Sequence, residues 1–244
     1  MRVALTPRSW FLKTQLARGV IVYGKNRAGY GGRGIYIFRD SIEPEFRYVD
    51  RFLGKSGVFV DIGANTGIYT LKAAKHFGND GIIVAIEPFL ETIATLHRSV
   101  QANGFTNVRL RNLAVGAQTG VTTLWMNSGT PNSFSIAEKV GKAQGVLVLV
   151  VSLDDLYRWE KLERLDYLKI DVEGGEQEVL LGATNTIRTY RPIIQCEVST
   201  KWFVAELPNY SVFQAPSSNN VLYIPKEHEK VRLPEELDWN RLRN

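Results

Sequence analysis

Cysteine, histidine and long apolar runs are what this chain has least of. A single cysteine, Cys196, excludes an intramolecular disulfide, and three scattered histidines (His76, His97, His228) cannot assemble the cluster of a zinc site. Cys196 lies in Pro192-Ile-Ile-Gln-Cys-Glu-Val198, a strand pattern in which it reads as a buried small hydrophobe rather than a nucleophile. No apolar run approaches the length of a membrane span, and the N-terminus lacks the continuous apolar core of a secretion signal. The expected location is therefore cytoplasmic, with peripheral membrane contact through residues 1–23 left open.

Charge is ordinary in amount and uneven in placement. At 244 residues, with 44% hydrophobic and 23% charged side chains, the chain is long and apolar enough to bury one substantial core. Residues 1–57 hold eleven Lys/Arg against four acids, a net of +7, whereas the remainder is −2. A basic front on a near-neutral body suits an anionic substrate, a membrane surface or nucleic acid, and is equally what an ordinary solvated surface provides.

The strongest signal is Val58-Phe-Val-Asp-Ile-Gly-Ala-Asn-Thr-Gly-Ile-Tyr-Thr70. A β-branched and aromatic run ends in Asp61, a small-residue turn carries Gly63, Ala64 and Gly67, and a helix follows. That order builds a nucleotide site, because glycine lets the backbone approach a ligand and a helix N-terminus offers free N–H donors. A second strand, Gly81-Ile-Ile-Val-Ala-Ile-Glu-Pro88, ends in Glu87, placed to accept both hydroxyls of a ribose. The turn is no dinucleotide fingerprint, since Asn65 stands where a second glycine belongs, and no Gly-Lys-Ser/Thr triplet follows Gly67. A carboxylate at Asp61 would oppose a pyrophosphate but suits a ligand with a cationic amino group, such as S-adenosylmethionine. The plainer alternative makes Asp61 a helix cap, and leaves Glu87 unexplained.

Organisation along the chain follows from periodicity. Trp10 to Tyr23 reads as an amphipathic helix or a loose arm, Ala28 to Gly34 as a glycine-rich turn or loop, Ile35–Phe38 as a strand and Glu43–Leu53 as a helix. Then come strand 58–61, helix 66–77, strand 82–87, helix 89–103 and strand 107–112, the alternation of a parallel sheet with helices on both faces. Two strands, 120–126 and 146–151, enclose a polar loop and form an insertion at about 117–152. Strand 166–170, a helix over 176–190 and strand 193–198 resume the order, and Val221–Ile224 is a last strand. The expected divisions are a basic extension at 1–42, a catalytic domain at 43–225 and a charged tail with a helical piece at 226–244.

A second constellation is Leu165-Asp-Tyr-Leu-Lys-Ile-Asp-Val-Glu-Gly-Gly-Glu176. Asp171 ends a buried strand at the sheet edge where ligands bind, and Lys169 lies two residues earlier on the same side. A lysine inside an apolar strand is costly unless a carboxylate meets it, and Glu173 is one local candidate. Glu197, near the end of the next strand, adds another acid. Such acids could orient or deprotonate a substrate hydroxyl, or hold a divalent cation, which the sequence permits without requiring.

Val60-Asp-Ile-Gly-Ala-Asn-Thr-Gly67, Ala85-Ile-Glu-Pro88, Asn112-Leu-Ala114, Leu168-Lys-Ile-Asp-Val-Glu-Gly174 and Pro192-Ile-Ile-Gln-Cys-Glu197 together resemble the FkbM family of S-adenosylmethionine-dependent methyltransferases. The resemblance spans about Glu43 to Val198. It implies an α/β fold of class I methyltransferase type: Rossmann-like, doubly wound, with a mostly parallel seven-stranded sheet. It also implies methylation of a hydroxyl on a sugar, glycan or natural product. By that likeness Asp61, Gly63, Asn65 and Gly67 line the methionine end of S-adenosylmethionine, Glu87 holds its ribose, Asn112, Leu113 and Ala114 flank its adenine, and Ala64, Thr70 and Pro88 are further cofactor-binding candidates. Asp171 takes the catalytic position, with Lys169, Glu173 and Glu197 around it. Asn132 and Ser133, in the inserted loop, are candidate substrate contacts.

Three other readings compete. An RNA ribose methyltransferase would suit the basic front, but the second lysine of its usual Lys-Asp-Lys-Glu set is not evident after Asp171. Methylation at nitrogen usually accompanies an Asn/Asp-Pro-Pro-Tyr/Phe turn, and Asp171-Val-Glu-Gly174 is not one. A cofactor-binding scaffold without turnover would keep the cofactor residues and tolerate loss of Asp171 and Glu197.

Overall fold

The computed structural model describes residues 7, 10–127, 134–136, 140–142, 144–197 and 207–243. The front of the chain differs from its sequence reading. Trp10 to Tyr23 forms no helix: β1 (Phe11–Gln15) and β2 (Ile21–Lys25) make an antiparallel hairpin. Arg18 (φ 56°) and Gly19 (φ 77°) both take left-handed backbone at its turn, and Leu12, Thr14 and Leu16 alternate inward. Ile35–Phe38, expected as a strand, is the second half of helix α1 (Gly32–Phe38). Gly32 lies against Gly24 so closely that a Cβ on Gly32 would stand 2.4 Å from the Gly24 carbonyl carbon. This contact seats α1 on β2 and overrides the β propensity of Ile-Tyr-Ile-Phe.

After 3₁₀ turns and the single-turn helix α2 (Val49–Phe52), the alternation begins with β3 (Gly57–Ile62), α3 (Ile68–Phe77), β4 (Gly81–Ile86), α4 (Leu90–Asn103) and β5 (Val108–Arg111). The insertion supplies β6 (Ala114–Val115), β7 (Gly120–Met126), β8 (Phe134–Ser135) and β9 (Gln144–Val151), which form a separate four-stranded sheet in the order β6-β9-β7-β8. Helix α5 (Leu153–Glu160) follows, its first turn capped by Ser152, whose Oγ accepts from the Asp155 N–H at 3.1 Å. The Ser-x-x-Asp spacing was a legible start signal that the apolar pattern alone did not reveal.

Beyond β10 (Tyr167–Ile170), the expected helix over 176–190 is two, α6 (Glu176–Leu181) and α7 (Thr184–Tyr190). The break falls at Gly182, where a Cβ would lie 2.1 Å from the Gly116 carbonyl oxygen, so the chain turns where the insertion presses on it. β11 (Ile193–Glu197), β12 (Tyr210–Gln214), β13 (Asn220–Pro225), the short helix α8 (Leu233–Glu236) and β14 (Asn240–Arg243) complete the chain.

The main sheet runs β14-β12-β13-β11-β10-β3-β4-β5. The five strands from β11 to β5 are parallel, and β13, β12 and β14 join antiparallel. The class is the one expected, α/β and doubly wound. The strand count is eight rather than seven, because Asn240–Arg243 from the tail pairs with β12. Every residue of β3 is buried; Phe59 enters the apolar layer under α2 and α3, while Val58, Val60 and Ile62 enter the layer under α5 to α7. Among the described residues, no helix is long and apolar enough to cross a membrane.

The hairpin is fastened to α4 by side chains rather than by strand pairing. Asn103 Oδ1 accepts from the Ile21 N–H at 2.8 Å, its Nδ2 donates to the Ile21 carbonyl at 2.6 Å, and Ser99 Oγ accepts from the Tyr23 N–H at 2.9 Å. Asn103→Ala strips both backbone groups of Ile21 of their partners. A loss of about 1–3 kcal/mol is expected, read as a lower urea midpoint at unchanged slope.

Candidate active site

Strand order reverses between β3 and β10, and the crevice of such a sheet opens there, beyond the carboxyl ends of the strands. A cleft of about 260 Å³ occupies that position. The turns after β3, β4 and β10, the Leu113–Val115 segment and the end of β11 wall it, while Gly31, Ile35 and Ile42 close it from the N-terminal side. The extension before residue 43 is thus part of the cleft, which its sequence did not disclose.

The turn after β3 is shaped by close approach. Gly63 (φ 77°) leaves no room for a side chain, since a Cβ would lie 1.7 Å from the Asp171 carbonyl oxygen. Gly67 (φ 81°) faces Leu96, whose Cδ1 would stand 2.1 Å from a Cβ. The N–H groups of Gly63 and Ala64 both bond the Ile86 carbonyl, at 3.0 and 2.9 Å, so they bind the turn to β4 instead of pointing at a phosphate. This agrees with the absence of a dinucleotide fingerprint.

Glu87 ends at the cleft wall. Its Oε1 accepts from the Phe89 N–H at 2.9 Å and its Oε2 from the Asn65 N–H at 3.0 Å, which fixes the carboxylate and leaves each oxygen a further lone pair. Burial pushes its pKa up to about 7, against the pull of those two bonds. Pro88, Leu113 and Ala114 line the cleft next to it. Asn112 is not in the wall: its Nδ2 donates to the carbonyls of Glu87 and Pro88, each at 2.9 Å, and straps this turn in place.

Asp61 and Thr70 lie beneath the floor. Asp61 is fully buried, and its Oδ2 accepts from the Thr70 N–H at 3.1 Å and the Thr70 Oγ1 at 2.5 Å, tying β3 to the first turn of α3. Its Oδ1 has no hydrogen-bond partner among the described residues. Burial raises its pKa, and the nearby Lys169 charge opposes that rise.

Lys169 is the centre of a charged cluster at the cleft. Its side chain is 3% exposed, and its Nζ lies 2.7 Å from Asp171 Oδ2 and 4.8 Å from the centre of the Tyr69 ring. The carboxylate that meets the buried lysine is therefore Asp171, not Glu173. Burial alone would lower the lysine pKa; Asp171, Asp61 and Glu43 outweigh it and hold the ammonium above its ordinary value. The Asp171 carboxyl is likewise held below its usual range, since Lys169 and a hydrogen bond from Glu197 outweigh its burial. Burial and the Asp171 charge push Glu197 up to about 8, and burial with Asp171 and Glu176 pushes Glu173 up to about 7. Burial and charge thus favour the ionised form of Asp171 and the protonated form of Glu197 beside it.

Two participants escaped the sequence reading. Glu43, raised by burial, accepts a short hydrogen bond from the Tyr69 hydroxyl; Gln195 donates to that hydroxyl at 3.1 Å and accepts from Tyr167 at 2.8 Å. Glu43 and Tyr69 both line the cleft. The signal was the buried lysine, which implies more acids than its own strand supplies. Glu176 was passed over too: its Oε1 accepts from the Gly174 N–H at 3.1 Å and shapes the loop that carries Glu173. Asn132 and Ser133 lie outside the described residues. Among the described residues, no three His, Cys, Asp or Glu side chains converge as metal ligands.

A profile of the methyltransferase FkbM domain matches residues 61–230. The chain belongs to the FkbM methyltransferase family. Two curated fungal relatives are similar to it. Methyltransferase 1 of Beauveria bassiana is 27% identical over 58% of this chain and 68% of its own length. Methyltransferase sdnD of Sordaria araneosa is 26% identical over 60% and 71%. Among solved structures, the FkbM methyltransferase of Methylobacillus flagellatus aligns with a TM-score of 0.50 at 17% identity, covering 79% of this chain and 53% of that one. The chain thus spans about half the length of that FkbM structure. A methyltransferase from Escherichia coli aligns at the same TM-score with 10% identity, over 87% and 96%. These likenesses bear on the fold, which is that of class I S-adenosylmethionine-dependent methyltransferases.

S-adenosylmethionine is the cofactor of this FkbM protein, and the cleft suits it. The apolar Leu113–Ala114 segment offers a surface for adenine, Glu87 retains acceptor capacity for ribose hydroxyls, and the acids beyond Gly63 can balance a cationic amino-acid end. Because Glu87 must be ionised to accept both hydroxyls, affinity should fall as pH drops through about 7. Calorimetry should show binding about tenfold weaker at pH 6 than at pH 8, with Glu87→Gln removing most of that dependence.

Proposed function

We propose that this FkbM methyltransferase is O-directed and acts on a hydroxyl of a sugar, glycan or natural-product small molecule. The observation that supports this reading is the Asp171–Glu197 pair at the cleft, with the buried Lys169 Nζ 2.7 Å from Asp171 Oδ2, an arrangement that favours the ionised form of Asp171 and the protonated form of Glu197. A carboxylate can accept a hydroxyl proton, and the Glu197 carboxyl that donates to Asp171 helps to hold it in place, so the pair suits a hydroxyl acceptor. The acids Asp171, Glu173, Glu197 and Glu43 around the cleft disfavour a phosphodiester backbone, which weighs against RNA as the acceptor.

S-adenosylmethionine, when bound, supplies a methyl group already activated by its sulfonium. The protein supplies position and a place for the proton. Asp171 would hold the acceptor hydroxyl and take its proton. Lys169 keeps Asp171 ionised until then, and Glu43 with Tyr69 holds Lys169 from the opposite side. Catalysis by such a base contributes roughly 10²–10⁴-fold.

Asp171→Asn should therefore lower kcat by about 10²–10⁴-fold and leave the affinity for S-adenosylmethionine within about threefold. Methyl transfer from labelled S-adenosylmethionine to a panel of glycosides and polyols measures the first, and calorimetry the second. An unchanged kcat would remove Asp171 from the chemistry. Intact cofactor binding without transfer to any acceptor class would favour the scaffold reading.

A further inference from the structure

The hairpin, the loop into α1 and one face of α4 carry a patch of cations and rings that the cleft does not use. Arg98 lies over the rings of Phe11 (4.9 Å) and Tyr23 (4.3 Å), and Lys25 and Arg27 lie over Tyr30 (5.2 and 5.1 Å). Arg33 donates to the buried Asn26 Oδ1 at 2.9 Å, and the Asn26 N–H bonds the Trp10 carbonyl at 2.9 Å, which ties Arg33 to the hairpin beneath the patch. Glu91, paired with Lys25, offsets one of the four positive charges. Burial first, and then the charge of Arg27, hold Lys25 below the ordinary lysine range. Trp10 at the edge of the hairpin is 62% exposed, and Leu90, beside Glu91, is 68% exposed.

We propose that this patch docks the protein on an anionic lipid bilayer, with Lys25, Arg27, Arg33 and Arg98 against the headgroups and Trp10 and Leu90 in the interfacial layer. The charge of the patch complements an anionic surface, in keeping with the +7 carried by residues 1–57. The choice of a membrane over nucleic acid rests on two features. Tyr30 is buried, and a cation of the protein lies over one face of each of the Phe11 and Tyr23 rings, which makes them poor platforms for base stacking. Exposed Trp and Leu gain from burial at a lipid interface and not from contact with an aqueous polyanion. Tyr30 immediately precedes Gly31 in the cleft wall, so docking sets the mouth of the cleft beside the lipid surface.

Co-flotation of the full chain with vesicles tests this. Vesicles of phosphatidylcholine alone are compared with vesicles in which roughly one lipid in three is phosphatidylglycerol. Wild-type protein should float only with the anionic vesicles, and less as salt is raised. Each basic residue near such a surface is worth roughly fivefold in partitioning, so Arg27→Glu with Arg98→Glu should weaken binding by at least about 25-fold. Trp10→Ala should weaken it severalfold. The melting temperature and cofactor affinity of each variant establish that it is folded. Equal flotation with neutral vesicles, or a folded double variant that floats like the wild type, would overturn the proposal. So would tighter binding to a single-stranded oligonucleotide than to vesicles at equal phosphate, which would make the patch a nucleic-acid surface.

Discussion

A lysine without solvent, set among carboxylates, is the constraint on which this molecule depends. Lys169 stands in the fourth strand of the parallel set, between β3 and β11, and is buried, so little water reaches its charge. Taking an ammonium out of water costs several kcal/mol unless charge and hydrogen bonds replace hydration. Asp171, Asp61 and Glu43 replace it, from β10, from β3 and from the N-terminal segment respectively. Lys169 favours the ionised form of Asp171, while burial and the Asp171 charge push Glu173 up to about 7 and Glu197 up to about 8. Burial and charge thus set neighbouring carboxyls apart in their affinity for a proton.

The rest of the site follows from that placement. Doubly wound sheets open at the point where strand order reverses, and the β3–β10 boundary carries both Asp61 and Asp171. The two turns approach so closely that Gly63 is the residue that fits against the Asp171 carbonyl. Asp61 then serves as an anchor between β3 and α3 and as a counter-charge for Lys169, while Glu87 one strand away presents a fixed carboxylate to the cleft. The hairpin and α1 close the remaining side through a backbone contact between Gly24 and Gly32. A segment that looked like an appendage is a wall.

Much of the parallel core was legible in the sequence, and the reason is physical. Strands buried on both faces read as unbroken apolar runs, and a charged residue that ends such a run marks the sheet edge, as Asp61, Glu87 and Asp171 do. What sequence reading missed was set by contacts distant along the chain. The helix over Gly32–Phe38 exists because glycine meets glycine across the hairpin, against the local propensity of Ile-Tyr-Ile-Phe. The break at Gly182 answers to Gly116, and β14 finds its place only when β12 is present. In the site, Asp171, Lys169, Glu197, Glu87 and Gly63 were readable from position on their strands. Glu43 and Tyr69 were not, since their part depends on a fold that brings a helix face and an N-terminal loop onto one lysine.

The central claim is that this cleft orients S-adenosylmethionine from the Leu113–Ala114 side, past Glu87, toward the Asp171–Glu197 pair. A crystal structure of the complex with S-adenosylhomocysteine tests it most directly. The account predicts both ribose hydroxyls on the Glu87 carboxylate and the sulfur on the Asp171 side of the Gly63 turn. A nucleoside bound in the reverse sense, with adenine over Asp171, or bound away from this cleft, would contradict it.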